Sequence, residues 1–182
     1  RYMGLINNLR FKKLARHSES STTSGVGKEE FLDWSAMTEE QRGYYSALTM
    51  SKNLHGAGLT FRCRISDPLK MFTLSMSGKN DKHLFAIDKR YKIRLQFDNT
   101  IIMYAYLHAY KHKHASIVGI SEKFLENIYD SQSLKIEYIG ESGKKITTKF
   151  SLKGASTAIE SVLARSKQHQ LQISSWFMST AH

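Results

Sequence analysis

The residues best suited to chemistry or recognition fall between Ile101 and His114. Side chains of an extended chain alternate with period two, so Tyr104, Tyr106, His108, Tyr110, His112 and His114 would share one face, with Lys111 and Lys113 beside them. Met103, Ala105, Leu107 and Ala109 would take the other, which is the better core. Imidazoles two residues apart on a strand lie about 6.5–7 Å apart at the backbone, near enough for two of them to share a transition metal if a third ligand arrives from a neighbouring strand. His108, His112 and His114 are therefore candidate ligands for Zn, Cu or Ni. No Cys, Asp or Glu completes a recognised ligand spacing, so exposed histidines at a basic hairpin end are the simpler reading. The same tyrosines and bases suit stacking and phosphate contacts with single-stranded nucleic acid. A tyrosine-rich strand face more often serves packing or a protein partner. The expected binding residues are thus Tyr104, Tyr106, His108, Tyr110, Lys111, His112, Lys113 and His114, with no metal or cofactor assigned to them.

Catalytic signatures are thin. The chain contains no nucleophile elbow, phosphate loop, dinucleotide fingerprint or metalloprotease helix, and Gly56-Ala57-Gly58 lacks the third glycine and following helix of a phosphate cradle. Asp33, Asp67, Asp81, Asp88, Asp98 and Asp130 mostly sit where turns are expected, where Asp stabilises backbone bends by hydrogen bonding. Trp34 reads as a core anchor in a leading strand rather than as a stacking platform for a ligand. A non-catalytic binding protein is the expectation.

With 27 Lys and Arg against 16 Asp and Glu, the formal charge is +11, which favours anionic partners such as nucleic acid, acidic lipid or acidic polysaccharide without choosing among them. The basic residues are spread along the chain rather than gathered in a tail. The single cysteine, Cys63, excludes an intrachain disulfide, and its alternating neighbours suggest a buried, inert thiol on a strand. No run approaches 18 apolar residues, so no transmembrane helix is expected. The chain starts at Arg1, as expected of a fragment or processed product, and the lack of a signal peptide says nothing about compartment.

A chain of 182 residues with 41% hydrophobic content suffices for one domain with tails. Residues 1–17 carry Tyr2, Met3, Leu5, Ile6, Leu9 and Leu14 at loosely helical spacing among bases, which predicts a short basic amphipathic helix able to touch an acidic membrane surface peripherally. The Ser/Thr/Gly-rich stretch that follows predicts a flexible linker over 18–30. A mainly β, sandwich-like domain over 31–166 comes next. Its expected strands are 32–37, 44–50, 59–65, 71–76 and 91–97, then the run from Ile101, with a helix across 38–46 as an alternative. Asp98-Asn99 offers turn chemistry for a hairpin. Ser121, with Glu122 in the first turn, predicts a short capped helix carrying Phe124, Leu125, Ile128 and Tyr129. Strands 134–139 and 145–152 should pair around Gly140–Gly143, and Thr157 and Glu160 have capping-box spacing for a second short helix. Gly154 frees the turn before it. Residues 167–182 are read as a last strand or a tail.

The order of parts from Gly119-Ile120-Ser121-Glu122-Lys123-Phe124-Leu125, through Ser133 to Tyr138 and Gly143-Lys144-Lys145-Ile146 to Phe150, closing on Ser151-Leu152-Lys153-Gly154-Ala155, resembles the C-terminal half of the invasion-associated locus B family. The likeness spans roughly residues 91–165, and Ser151-Leu152-Lys153-Gly154 is its most specific part. Upstream, Asp33-Trp34, Tyr45-Ser46-Ala47-Leu48 and Leu59 to Cys63 are similar to periplasmic accessory proteins of type VI secretion. Both resemblances imply a non-catalytic, periplasmic or envelope-associated protein of Gram-negative bacteria that binds a protein partner in the envelope or in a secretion or host-contact assembly. The chain departs from the first family at Lys111–Ser116, where the resemblance would place a cysteine pair. A basic nucleic-acid-binding module and a histidine-based metal-binding protein are the competing readings.

Overall fold

The computed structural model describes residues 26–39, 43–64, 70–76 and 85–179. The short helix expected over 1–17 lies outside them. Among the described residues, ten strands form one antiparallel sheet: β1 (Val26–Phe31), β2 (Trp34–Glu39), β3 (Tyr44–Met50), β4 (Ala57–Arg64), β5 (Lys70–Met76), β6 (Arg90–Phe97), β7 (Ile101–Lys111), β8 (His114–Val118), β9 (Ser133–Ile139) and β10 (Lys145–Ser151). Helices α1 (Glu122–Asp130) and α2 (Ala155–Ser179) complete the mainly β architecture. The strand order is β1-β2-β3-β4-β5-β8-β7-β6-β9-β10, so β5 and β8 pair across a long stretch of sequence while most other neighbours are hairpins.

Alternation accounts for most strands. In β6, Tyr91, Ile93, Leu95 and Phe97 are buried while Arg90, Lys92, Arg94 and Gln96 point the other way. The β6–β7 hairpin turns at Asp98 and Asn99, whose φ values of 45° and 61° lie in the left-handed region that these two residues tolerate. The Asp98 carboxylate also accepts hydrogen bonds from the backbone N–H groups of Gln132 (3.0 Å) and Ser133 (2.9 Å), tying this turn to the start of β9. The β9–β10 hairpin forms around Gly140–Gly143 as expected, with Ile146, Thr148 and Phe150 buried on one face.

The sheet coils so that its last edge is covered. The loop after β3 lies along β10: Lys52 N–H donates to the Lys149 carbonyl (2.8 Å), and the Asn53 amide donates to the Thr147 carbonyl (2.9 Å) while accepting from Lys149 N–H (2.6 Å). Asn53 thus pairs with β10 as a strand backbone would, which satisfies groups that otherwise template edge-to-edge association. Trp34 is buried, as expected of a core anchor, and its indole N–H donates to the Ser151 carbonyl (2.9 Å) across the same seam.

Both helices lie on the inner face. Helix α1 inserts Phe124 between Phe72 and Phe97, with ring centroids 5.1 and 5.9 Å away. Ser121 occupies the expected cap position with extended backbone, but its side chain makes no capping bond. Helix α2 differs from expectation in length. It begins at Ala155, ahead of the Thr157–Glu160 spacing, and runs for 25 residues, so residues 167–179 continue a helix instead of forming a strand or tail. Its packed face carries on past the apolar Ile159 and Val162 through polar residues: Ser166 lies against the buried Cys63 thiol (3.4 Å), and His169 Nδ1 is 2.8 Å from the Tyr45 hydroxyl. No Gly or Pro interrupts it, and Lys, Gln and Leu propagate helix well. A second correction concerns the linker, because residues 26–30 belong to β1. Arg165 of α2 holds that strand through an ion pair with Glu29 and donates to Thr38 Oγ1 (2.9 Å).

Candidate binding surface

With both helices on the inner face, β6 and β7 form an interior hairpin, flanked by β8 and β9, whose alternate side chains point outward. Register sets the surface pairs: Arg90 opposite His108, Lys92 opposite Tyr106, Arg94 opposite Tyr104 and Gln96 opposite Ile102. Ala105, Leu107 and Ala109 fill the core, as their period predicts, which turns Tyr104 (63% exposed) and Tyr106 (45%) outward. Lys92 Nζ stands 5.5 Å from the centroid of the Tyr104 ring, a cation–π contact that holds a charge at the edge of an aromatic surface. Arg94 donates to Gln96 Oε1 (2.9 Å) and Glu137 Oε2 (2.8 Å), and Lys145 Nζ lies 2.8 Å from Glu137 Oε1. The hydrogen bond from Lys145, reinforced by that from Arg94, holds the Glu137 carboxyl below the usual carboxylate range. Farther along the same face, Arg62 and Arg64 stand 5.2 and 5.0 Å from the Tyr44 ring centroid.

The expected continuous strand from Ile101 to His114 is broken. A β-bulge between Ala109 and Lys111 ends β7, the chain turns at His112-Lys113, and His114 opens β8 opposite Lys111. This scatters the candidate residues. His108 stays on β7 with its Nδ1 buried and without a hydrogen-bond partner. His112 Nδ1 lies 3.0 Å from the Phe85 carbonyl, while Phe85 N–H donates to the His112 carbonyl, so His112 fastens the segment before β6. His114 Nδ1 lies 3.1 Å from Ser75 Oγ, and its ring stacks on Tyr110 at 6.1 Å between centroids. The three histidines therefore do not assemble as a ligand set. Among the described residues, no group of three or more His, Cys, Asp or Glu is placed to hold a metal ion.

His114 carries a pH dependence. Burial, reinforced by Lys111, Arg62 and Lys113, holds its imidazole below the ordinary histidine value. The unfolded chain then takes up a proton more readily, so this contribution to stability is present above about pH 6.5 and is lost as pH falls toward the folded-state pKa. Thermal unfolding between pH 7.5 and 5 should show a falling Tm that His114→Gln flattens; parallel curves for both proteins would assign the acid sensitivity elsewhere.

Lys92, Arg94 and Glu137 complete the surface but were not among the expected binding residues. Their outward direction is legible from alternation. Their partnership with the tyrosines needs the register that the Asp98-Asn99 turn sets and the non-sequential placement of β9 beside β6.

Among the described residues a single antiparallel sheet carries two helices on its inner face and aromatic and cationic side chains on its outer face. The sequence matches no known family profile and no curated protein sequence. Among solved structures, invasion associated protein B from Bartonella henselae shares the fold, with a TM-score of 0.57 over 78% of this chain and 99% of that one, at 13% identity. The likeness is one of fold alone. No helix among the described residues is long and apolar enough to cross a membrane.

Proposed function

We propose that this protein is a non-catalytic interaction module, envelope-associated or exported, that engages a protein partner through the outer face of β6 and β7, within a secretion or host-contact assembly. The observation that carries the reading is the exposure of Tyr104 and Tyr106 on an interior hairpin of the sheet beside Lys92. Tyrosine gives large contact area at low entropic cost, and tyrosine and arginine dominate the energetics of protein interfaces. The name of the structural relative from Bartonella supports the invasion-related setting of this reading, and the fold supplies a scaffold on which the hairpin is held from behind by a packed core.

The test uses a photo-crosslinking amino acid placed at Tyr104 or, as a control, at Leu32 in the exposed β1–β2 turn, in the native cells, combined with cell fractionation. A discrete crosslinked protein from position 104 alone, recovered with the envelope or the medium, is the expected result. Tyr104→Ala with Tyr106→Ala should weaken that complex by about tenfold or more. Equal labelling from both positions, or recovery in the cytosol, would overturn the proposal.

A further inference from the structure

We propose that the partner of this face is an acidic polypeptide segment with an apolar anchor, its carboxylates meeting Arg90, Lys92 and Lys111 and its anchor seating among Ile102, Tyr104 and Tyr106. This rests on the β6–β7 face being the interaction surface, and three features specify the occupant. The first is charge. Arg62, Arg90, Lys92, Arg94, Lys111 and Lys135 all stand at outward positions between β4 and β9, where Glu137 is the one carboxylate among the described residues. Glu137 is already engaged by Arg94, Lys145 and Lys135, whereas no carboxylate among the described residues pairs with Arg90, Lys92 or Lys111. Lys92 at the level of Tyr106, Arg90 at that of His108 and Lys111 at the end of β7 follow one another along the hairpin, so the field they make is complementary to an acidic chain laid along it.

The second feature is the apolar component. Ile102 (47% exposed) and Ile139 (57%) accompany the two tyrosines on the same outward side. Large apolar side chains ringed by charge have the anatomy of a protein interface, with an anchor at the centre and a polar rim. The third decides against nucleic acid. Sequence-tolerant binding of single strands needs aromatic faces open to stack bases. Here Lys92 stands over one face of the Tyr104 ring, Ile102 precedes Tyr104 on β7 and Val118 lies opposite Tyr106, so the tyrosines are flanked by a cation and aliphatic carbon, which rewards burial of an apolar side chain more than the stacking of successive bases.

The full chain can be tested by fluorescence anisotropy with three labelled probes of similar length: a random copolymer of Glu and Tyr, poly-L-glutamate, and oligothymidylate. The copolymer should bind about tenfold more tightly than polyglutamate, with affinity falling as salt rises. Lys92→Glu should lower copolymer affinity about tenfold and Lys92→Gln by less, while Tyr104→Ala with Tyr106→Ala should reduce the copolymer to the level of polyglutamate. Circular dichroism and unchanged thermal unfolding confirm that these exposed substitutions leave the fold intact. Oligothymidylate binding more tightly than the copolymer, with the same sensitivity to the tyrosine variants, would overturn the proposal in favour of nucleic acid. Equal binding of copolymer and polyglutamate, indifferent to the tyrosines, would reduce it to general charge attraction and overturn it too. A partner crosslinked from position 104 through a segment without acidic residues would reject the acidic occupant while leaving the surface in place; no crosslink at that position would remove both.

Discussion

Gly154→Ala is expected to destabilise the protein by about 3 kcal/mol, some threefold more than Gly143→Ala. Both glycines have left-handed backbone, with φ of 87° and 72°, so alanine at either pays a conformational cost of about 1 kcal/mol or somewhat more. Their surroundings differ. A Cβ at Gly143 meets nothing within 4 Å, whereas at Gly154 it would be driven into the Phe31 carbonyl and would crowd Leu32 Cβ at 3.3 Å. The added Cβ is fixed by its own backbone and meets a backbone carbonyl, so no side-chain rotation relieves the contact. The β1–β2 turn leans on the strand-to-helix junction there, with Asp33 N–H donating to the Lys153 carbonyl and Leu32 itself held at a φ of 54°. Relief would require the turn to lift away from α2. Urea unfolding of the two alanine variants, with Gly143→Asn and Gly154→Asn beside them, reads the difference directly. Asn tolerates left-handed backbone, so it should restore most of the loss at 143 and little at 154. Equal losses at both positions, or rescue by Asn at 154, would show that φ alone matters and that the close approach is relaxed in solution.

This junction also shows what the residues disclosed and what they hid. Gly154 was legible as the device freeing the turn before the last helix, and Ser151-Leu152-Lys153-Gly154 as the most specific part of the resemblance; that Phe31 is the group pressed against it follows only from tertiary packing. β6, β7, β9 and β10 were legible because one face of each is buried and period-two alternation is then unambiguous. β1 was not, since Gly27, Lys28, Glu29 and Glu30 alternate nothing apolar; an edge strand pairs on one side and here is held by Arg165 from α2. The second half of α2 was obscured because its packed face changes from Ile159 and Val162 to Ser166 and His169, keeping helical spacing but losing the hydrophobic signal. Within the candidate surface, the outward direction of Tyr104 and Tyr106 could be read from their neighbours. The reversal at His112-Lys113 could not, because Lys-His-Lys-His carries no Gly, Asn or Pro to mark a turn, and the bulge that starts it depends on pairing with β8.

Phe124→Ala should be a strongly damaging core substitution, costing about 4 kcal/mol. Phe124 is fully buried and is the ring through which α1 meets both sides of the sheet, touching Phe72 of β5 and Phe97 of β6. Phe72 in turn lies 5.2 Å from Phe61, so a line of rings runs from β4 through α1 to β6. Alanine removes the transfer energy of the ring and leaves a cavity that the sheet cannot collapse to fill, because β5 and β6 are held apart by β8 and β7 between them. Against a total stability of about 5–15 kcal/mol for a domain, such a loss lowers Tm by roughly 8–16 °C for a chain of this size. The expected signature in urea is a large fall in midpoint with an unchanged slope. Phe124→Leu, which keeps most of the volume, should restore more than half of the stability, while Leu125→Ala, on a partly buried neighbour, should cost markedly less than Phe124→Ala. If Phe124→Ala and Leu125→Ala proved equally mild, α1 would be an appendage to the sheet. The outward β6–β7 face would then owe its rigidity to strand pairing alone, and the packed ring line behind it would contribute nothing to presenting Tyr104 and Tyr106.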